Sequence, residues 1–223
     1  MIFGSIRIFR CILSNYVGAG TTSEEPPTTQ SPPSSPSSSS SPSPSSSQPS
    51  CECGKGARSE HKIVGGQATS PNQYPWQVGL VSTFSTVPFC GGSLISHTEV
   101  LTAAHCTEGQ TPSSMAVSLG EHDITDFQAT RVSVCEIIDH PSYNFPAFDF
   151  SILKLCGPVE LSSSVGTVCL PGDVSETYSG QQATVTGWGT LSSGGVRPDT
   201  LMEVNVTVIT NQECDASYGT ITE

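Results

Sequence analysis

Nucleophilic catalysis by a hydroxyl needs three kinds of side chain: the hydroxyl, an imidazole that takes its proton, and a buried carboxylate that holds the imidazole in one tautomer. Two residues of the latter types stand in ordered settings. His105 ends the run Leu101-Thr-Ala-Ala-His105-Cys106, and Asp149 opens the run Asp149-Phe-Ser-Ile-Leu-Lys-Leu155. Taken singly, neither is specific. A histidine after small residues is more often packed or exposed than catalytic, and an aspartate before a strand is often a turn residue. His97, in Ile95-Ser-His-Thr-Glu99, lies between two strand-like runs and reads as exposed.

Elements that could bring His105 and Asp149 together must be short. Apolar runs rich in Val, Ile, Thr and Leu occur at Gln77 to Val81, Gly92 to Ile95, Val100 to Ala104, Ala116 to Leu119, Arg131 to Ile138, Ser151 to Leu155, Ala183 to Gly187 and Met202 to Ile209. Gly, Pro, Asn, Asp and Ser separate them, and no long segment has a 3.6-residue period. That spacing predicts an all-β sandwich or barrel.

The runs begin only after a very different segment. Between Ser31 and Ser50 there are 13 Ser, 6 Pro and Gln48, a composition that cannot bury enough apolar surface to offset its ordering entropy. Residues 21–50 are therefore read as a linker. Residues 1–20 are apolar but interrupted by Arg7 and Arg10, too short an uncharged stretch for a membrane span and a doubtful secretion signal. From Ile63 onward 16 acids face three bases, Arg131, Lys154 and Arg197, a net of -13. Such a surface argues against nucleic acid and against an anionic membrane. Nine cysteines, without the paired spacing of a zinc site, point to disulfides in an oxidising compartment.

Six ordered motifs carry a resemblance: Ile63-Val-Gly-Gly, Pro75-Trp-Gln-Val78, Phe89-Cys-Gly-Gly-Ser-Leu-Ile95, the His105 run, the Asp149 run and Thr186-Gly-Trp188-Gly189. From about Ile63 to Glu223 the chain resembles the trypsin-like, chymotrypsin-fold serine proteases, of a secreted, arthropod-like zymogen type. The resemblance implies a double six-stranded β-barrel, with the second barrel incomplete here, and divides the chain into 51–62 as propeptide and 63–223 as peptidase domain. It implies His105 as general base and then general acid, and Asp149 as the carboxylate that orients it. Lys62-Ile63 resembles the activation bond, cut by a protease that prefers Lys or Arg, so that the new ammonium of Ile63 builds the catalytic arrangement. Protein or peptide substrates, an extracellular location, a monomer and no cofactor or metal are the corresponding expectations. His140, in His-Pro-Ser-Tyr, looks like a loop residue of the family with no catalytic role.

The resemblance stops at the nucleophile. The family carries it in Gly-Asp-Ser-Gly-Gly, which the 34 residues after Gly189 do not contain. Ser192, Ser193 and Ser217 have no such context, and Ser93 belongs to the strand before the histidine. The 223 residues as written are expected to be inactive, as a piece of an endopeptidase that ends in mid-domain. The alternative is a non-catalytic protease homologue that binds or regulates, or a truncated decoy.

By the same resemblance, Cys90 pairs with Cys106, Cys169 with Cys51 or Cys53 so that the propeptide stays attached after cleavage, and Cys135 with Cys156. Cys214 is expected to await a cysteine outside this chain. Asn205-Val-Thr207 is an N-glycosylation sequon on a strand-like run. Glu121-His-Asp-Ile124 resembles the start of the family's calcium loop, but Ala129 and Thr130 stand where a second carboxylate belongs, and no calcium is expected.

Overall fold

A computed structural model describes residues 53–57, 66–126, 128–172, 177–192 and 194–218. Within them, chain order runs β1 (Gln67–Ala68), β2 (Gln77–Ser82), β3 (Cys90–Leu94), β4 (Glu99–Thr102), α1 (Ala104–Thr107), a 3-10 turn (Pro112–Ser114), β5 (Met115–Leu119), β6 (Thr130–Asp139), β7 (Ser151–Leu155), β8 (Gln182–Gly187), β9 (Met202–Thr207) and α2 (Asn211–Tyr218). Six strands close a barrel in the order β2-β3-β4-β7-β6-β5, and β1, β9 and β8 form a three-stranded sheet. The fold is all-β and chymotrypsin-like. Among the described residues the first barrel is closed and the second sheet is open.

The barrel closes because its short strands carry inward side chains that fill its axis. Val78, Leu80, Leu94, Val100, Val117 and Leu153 have no exposed surface, and burial of each such side chain stabilises by roughly 1.5–3 kcal/mol relative to exposure. β6 has ten residues and serves two neighbours, pairing β5 through Thr130–Ser133 and β7 through Val134–Asp139. The register shifts between Val134 and Glu136, so Cys135 is the extra residue of a bulge that bends the strand around the barrel. Cys135 is joined to Cys156 across that bend.

Glycine is required where β3 passes between β2 and β4. A Cβ on Gly92 would lie 2.9 Å from the Leu101 carbonyl and 2.9 Å from Val100 Cγ1.

A buried carboxylate ties β9 of the second sheet to β1 and to the segment that leads into β2. Glu203, on β9, is 2% exposed. It accepts hydrogen bonds from Gln67 Nε2 at 3.0 Å, Gln73 Nε2 at 3.0 Å and the Tyr74 hydroxyl. Burial first, and then Glu203, push the Tyr74 hydroxyl up to about 12.

Cys90 is joined to Cys106, and Cys53 to Cys169. Gly54 also donates to the Thr167 carbonyl at 2.7 Å, so the 53–57 segment is held both covalently and by backbone. Cys51, the other candidate partner of Cys169, lies outside the described residues, as do Cys11, Lys62 and Ile63. Cys214 is buried and disulfide-bonded, with its partner outside the described residues. The expectation that it lacks a partner in this chain is therefore corrected: Cys214, on α2, is 1% exposed and bonded.

Two further differences from the sequence reading are local. The run Val100 to Ala104 splits, because the chain stays extended through Ala103 (φ −87°, ψ 142°) and then turns into α1. α2 was not expected at all: its eight residues are too few for a clear helical period. Thr210 signals its start, since its backbone N–H donates to the Glu213 carboxylate at 2.8 Å while its hydroxyl accepts from the Glu213 N–H at 3.1 Å.

Candidate active site

Pairing of β4 with β7 brings the two sequence candidates together. Thr102 and Ser151 are partners in that register. His105 lies three residues beyond Thr102, on α1, and Asp149 lies two residues before Ser151, so both emerge at the same rim of the barrel. The His105 backbone N–H donates to Asp149 Oδ1 at 2.7 Å, and its ring Nδ1 lies 2.6 Å from Oδ2. Both carboxylate oxygens are thus committed to one residue 44 positions earlier in the chain.

Burial divides the pair into two roles. Asp149 is 1% exposed, whereas about a quarter of the His105 side chain, 26%, faces solvent. A buried carboxylate 2.6 Å from Nδ1 favours the tautomer that carries its proton on that nitrogen. Nε2 has Cys106 Sγ at 3.5 Å, a contact made within the bridged Cys90–Cys106 pair. Among the described residues no serine hydroxyl is hydrogen-bonded to His105.

The turn that presents Asp149 is strained and braced. Phe148 has φ +52°, a conformation bulky residues rarely adopt. Phe150 donates its N–H to the Phe148 carbonyl at 2.9 Å, which makes Asp149 the centre of a three-residue turn. His140 holds that turn from outside. Its ring stacks on Phe148 (centroids 4.8 Å, planes 15° apart) and packs on Phe150 (4.6 Å). Its backbone N–H also donates to the Phe150 carbonyl at 3.1 Å. The sequence marked His140 as an unremarkable loop residue, and its bracing position is visible only once the loop is folded.

Neighbouring groups complete the setting. Phe145, 57% exposed, presents its ring edge-on to His105 with centroids 6.0 Å apart. The Thr107 hydroxyl, on α1, donates to Asp139 Oδ1 at 2.6 Å and ties the short helix to β6. Tyr143 donates to Glu108 at 3.4 Å, and burial, then the negative charges of Asp149 and Glu108, raise its hydroxyl to about 12. None of these had a sequence signal of its own. His97 is exposed as expected and caps the strand connection through Nδ1 to the Val159 carbonyl at 2.9 Å.

Among the described residues one group of three metal-ligand types comes together: Cys90, His105 and Cys106. Its two sulfurs are bonded to each other, so they offer no thiolate to an ion. Glu121, in the loop read against calcium, turns inward. It is 7% exposed and accepts from the Ser118 hydroxyl at 2.5 Å, while burial raises its carboxyl above the usual range.

The Trypsin family model matches residues 63–223. The chain belongs to the trypsin family. It is 36% identical over 179 residues to the serine proteinase Stubble of Drosophila melanogaster, covering 75% of this chain and 23% of that one. It is 41% identical over 169 residues to cationic trypsin-3 of Rattus norvegicus, covering 73% and 65%. Among solved structures, neuropsin, a serine protease expressed in the limbic system of mouse brain, superimposes with a TM-score of 0.63 at 30% identity and covers 72% of each chain. The chain thus spans about a quarter of the length of Stubble and two thirds of the rat trypsin. No helix among the described residues is long and apolar enough to cross a membrane.

Proposed function

We propose that this chain is part of a secreted serine endopeptidase, made as a zymogen and activated by cleavage of the Lys62–Ile63 bond. The observation that carries the reading is the double hydrogen bond from His105 to the buried Asp149. His105 takes the proton of a serine hydroxyl as the hydroxyl attacks a peptide carbonyl, and returns it to the leaving amine. Asp149 holds the ring in one tautomer and stabilises the imidazolium that forms between those steps. The substrates are proteins or peptides, and the activator is a protease that cuts after a basic residue. Disulfides in three described pairs agree with an extracellular site of action. Gly-Asp-Ser-Gly-Gly does not occur in the 223 residues, so this polypeptide by itself has no serine placed for the reaction and does not hydrolyse peptides.

The test uses the natural full-length protein after cleavage at Lys62–Ile63, beside the 223-residue chain. The cleaved full-length protein should hydrolyse peptide amides and react with a serine-directed fluorophosphonate, and the 223-residue chain should do neither. His105→Ala should abolish both reactions, and Asp149→Asn should lower kcat by about 10⁴-fold, from the known behaviour of the Ser-His-Asp triad. A cleaved, folded full-length protein that neither reacts nor hydrolyses would overturn the reading in favour of a non-catalytic homologue acting through binding.

A further inference from the structure

We infer that Asn205 is an N-glycosylated residue, and that its glycan stands on the polar outer face of the β8–β9 pair, clear of the apolar face of the same sheet. This inference rests on neither His105 nor Asp149. Asn205-Val206-Thr207 is the one Asn-x-Ser/Thr sequence in the 223 residues, and its middle residue is not proline. A sequon on a strand is ambiguous by sequence, because alternate strand residues face opposite ways. The fold decides the direction.

On β9, Met202, Val204 and Val206 face a cavity of about 270 Å³ that Val185 and Gly66 also line. Asn205 and Thr207 point the other way and are exposed. Glu203 shares their face but is 2% exposed, because the side chains of Gln67, Gln73 and Tyr74 close over its carboxylate. Two and four residues farther along the strand, Asn205 and Thr207 are exposed, so this face is open at the sequon where it is closed at Glu203.

The hydrogen bonding of the finished sheet is compatible with a modified nitrogen. Asn205 is in register with Thr184, whose hydroxyl donates to Asn205 Oδ1 at 2.9 Å. Thr207 is in register with Gln182 and its hydroxyl accepts from Gln182 Nε2 at 2.8 Å. Both contacts orient the sequon side chains outward, and the first uses the amide oxygen, not the nitrogen that carries the sugar. The donor is a polyprenyl-diphosphate-linked oligosaccharide. Asn205 Nδ2 forms a bond to the sugar C1 and gives up a proton, while the C1–O bond to the diphosphate breaks and the carrier leaves with its electron pair. A bulky hydrated glycan at this point is compatible with the finished fold. At Val204 or Val206 it would occupy the apolar face.

The compartment is consistent with the covalent structure. The same lumen that oxidises Cys53–Cys169, Cys90–Cys106 and Cys135–Cys156 holds the glycan donor. The experiment expresses the 223-residue chain behind a cleavable secretion leader in a eukaryotic host. The whole lumenal pool should migrate as a singly glycosylated species, collapse to the unmodified mobility with peptide N-glycosidase, and yield a peptide with Asp at position 205. Asn205→Gln and Thr207→Ala should both abolish the shift, and Thr207→Ser should keep it. Sugar transfer acts on the emerging chain, so secreted and retained pools are both read, and a variant that folds poorly still reports. A lumenal chain with oxidised disulfides and an unmodified Asn205 overturns the inference.

Discussion

Three buried carboxylates meet three different environments in this acidic chain. Asp149 has an imidazole and a backbone N–H, Glu203 has two amide donors and a phenol, and Glu121 has the Ser118 hydroxyl. A buried charge needs compensation by opposite charge or by hydrogen bonds. Glu121 is the least well served, and its carboxyl is raised, with burial as the first cause. A carboxyl whose folded pKa lies above the unfolded value of 4.5 stabilises the fold in its protonated form. That contribution is complete below 4.5 and is lost as pH rises through the folded pKa. Glu121→Gln, which keeps an oxygen to accept from Ser118, should therefore raise the melting temperature at pH 7 and leave it unchanged at pH 4. Thermal unfolding at the two pH values checks this, and an equal effect at both would show that ionisation of Glu121 is not the cause.

At the scale of elements, strand pairing sets the candidate site and side-chain stacking refines it. The β4–β7 register brings the His105 and Asp149 segments to one rim, and the His140–Phe148–Phe150 stack holds the Asp149 turn in a conformation its own backbone disfavours. The barrel that supplies the register depends on a close approach at Gly92. Gly92→Ala places a methyl against the Leu101 carbonyl and Val100 Cγ1 in a layer with no free space. It should destabilise the barrel by about 1–3 kcal/mol, the usual cost of overpacking. Denaturant unfolding of the two chains should show an earlier midpoint for the variant, and coincident midpoints would mean that β3 can shift outward at little cost.

For the whole molecule, the Cys53–Cys169 bridge links the segment before the proposed activation bond, Lys62–Ile63, to the body after it. The two cysteines are 116 residues apart, and closing a loop of that order in the unfolded chain is worth roughly 5 kcal/mol in the chain-entropy account. Its topological effect is independent of that energy. Cleavage at Lys62–Ile63 should leave a single species on a non-reducing gel and two on a reducing gel, and Cys53→Ala combined with Cys214→Ala should release the shorter piece without reductant. Release from the unaltered protein without reductant would show that the tether is not formed.

The sequence by itself determined the family and the all-β class and singled out His105 and Asp149 as candidates, because those depend on local motifs and on runs of apolar residues that any reading of the chain exposes. Strand positions followed for the same reason, within a residue or two, at Gln77–Ser82, Met115–Leu119 and Ser151–Leu155. The tertiary structure decided what depends on distant segments meeting. It chose Cys53 for Cys169, placed Cys214 in a buried bridge and turned Asn205 outward on its strand. It also set His140 against Phe148 and Phe150, and gathered Gln67, Gln73 and Tyr74 around Glu203. These partners lie as far as 136 residues apart. Their side-chain types allow many pairings, and burial with strand register selects one.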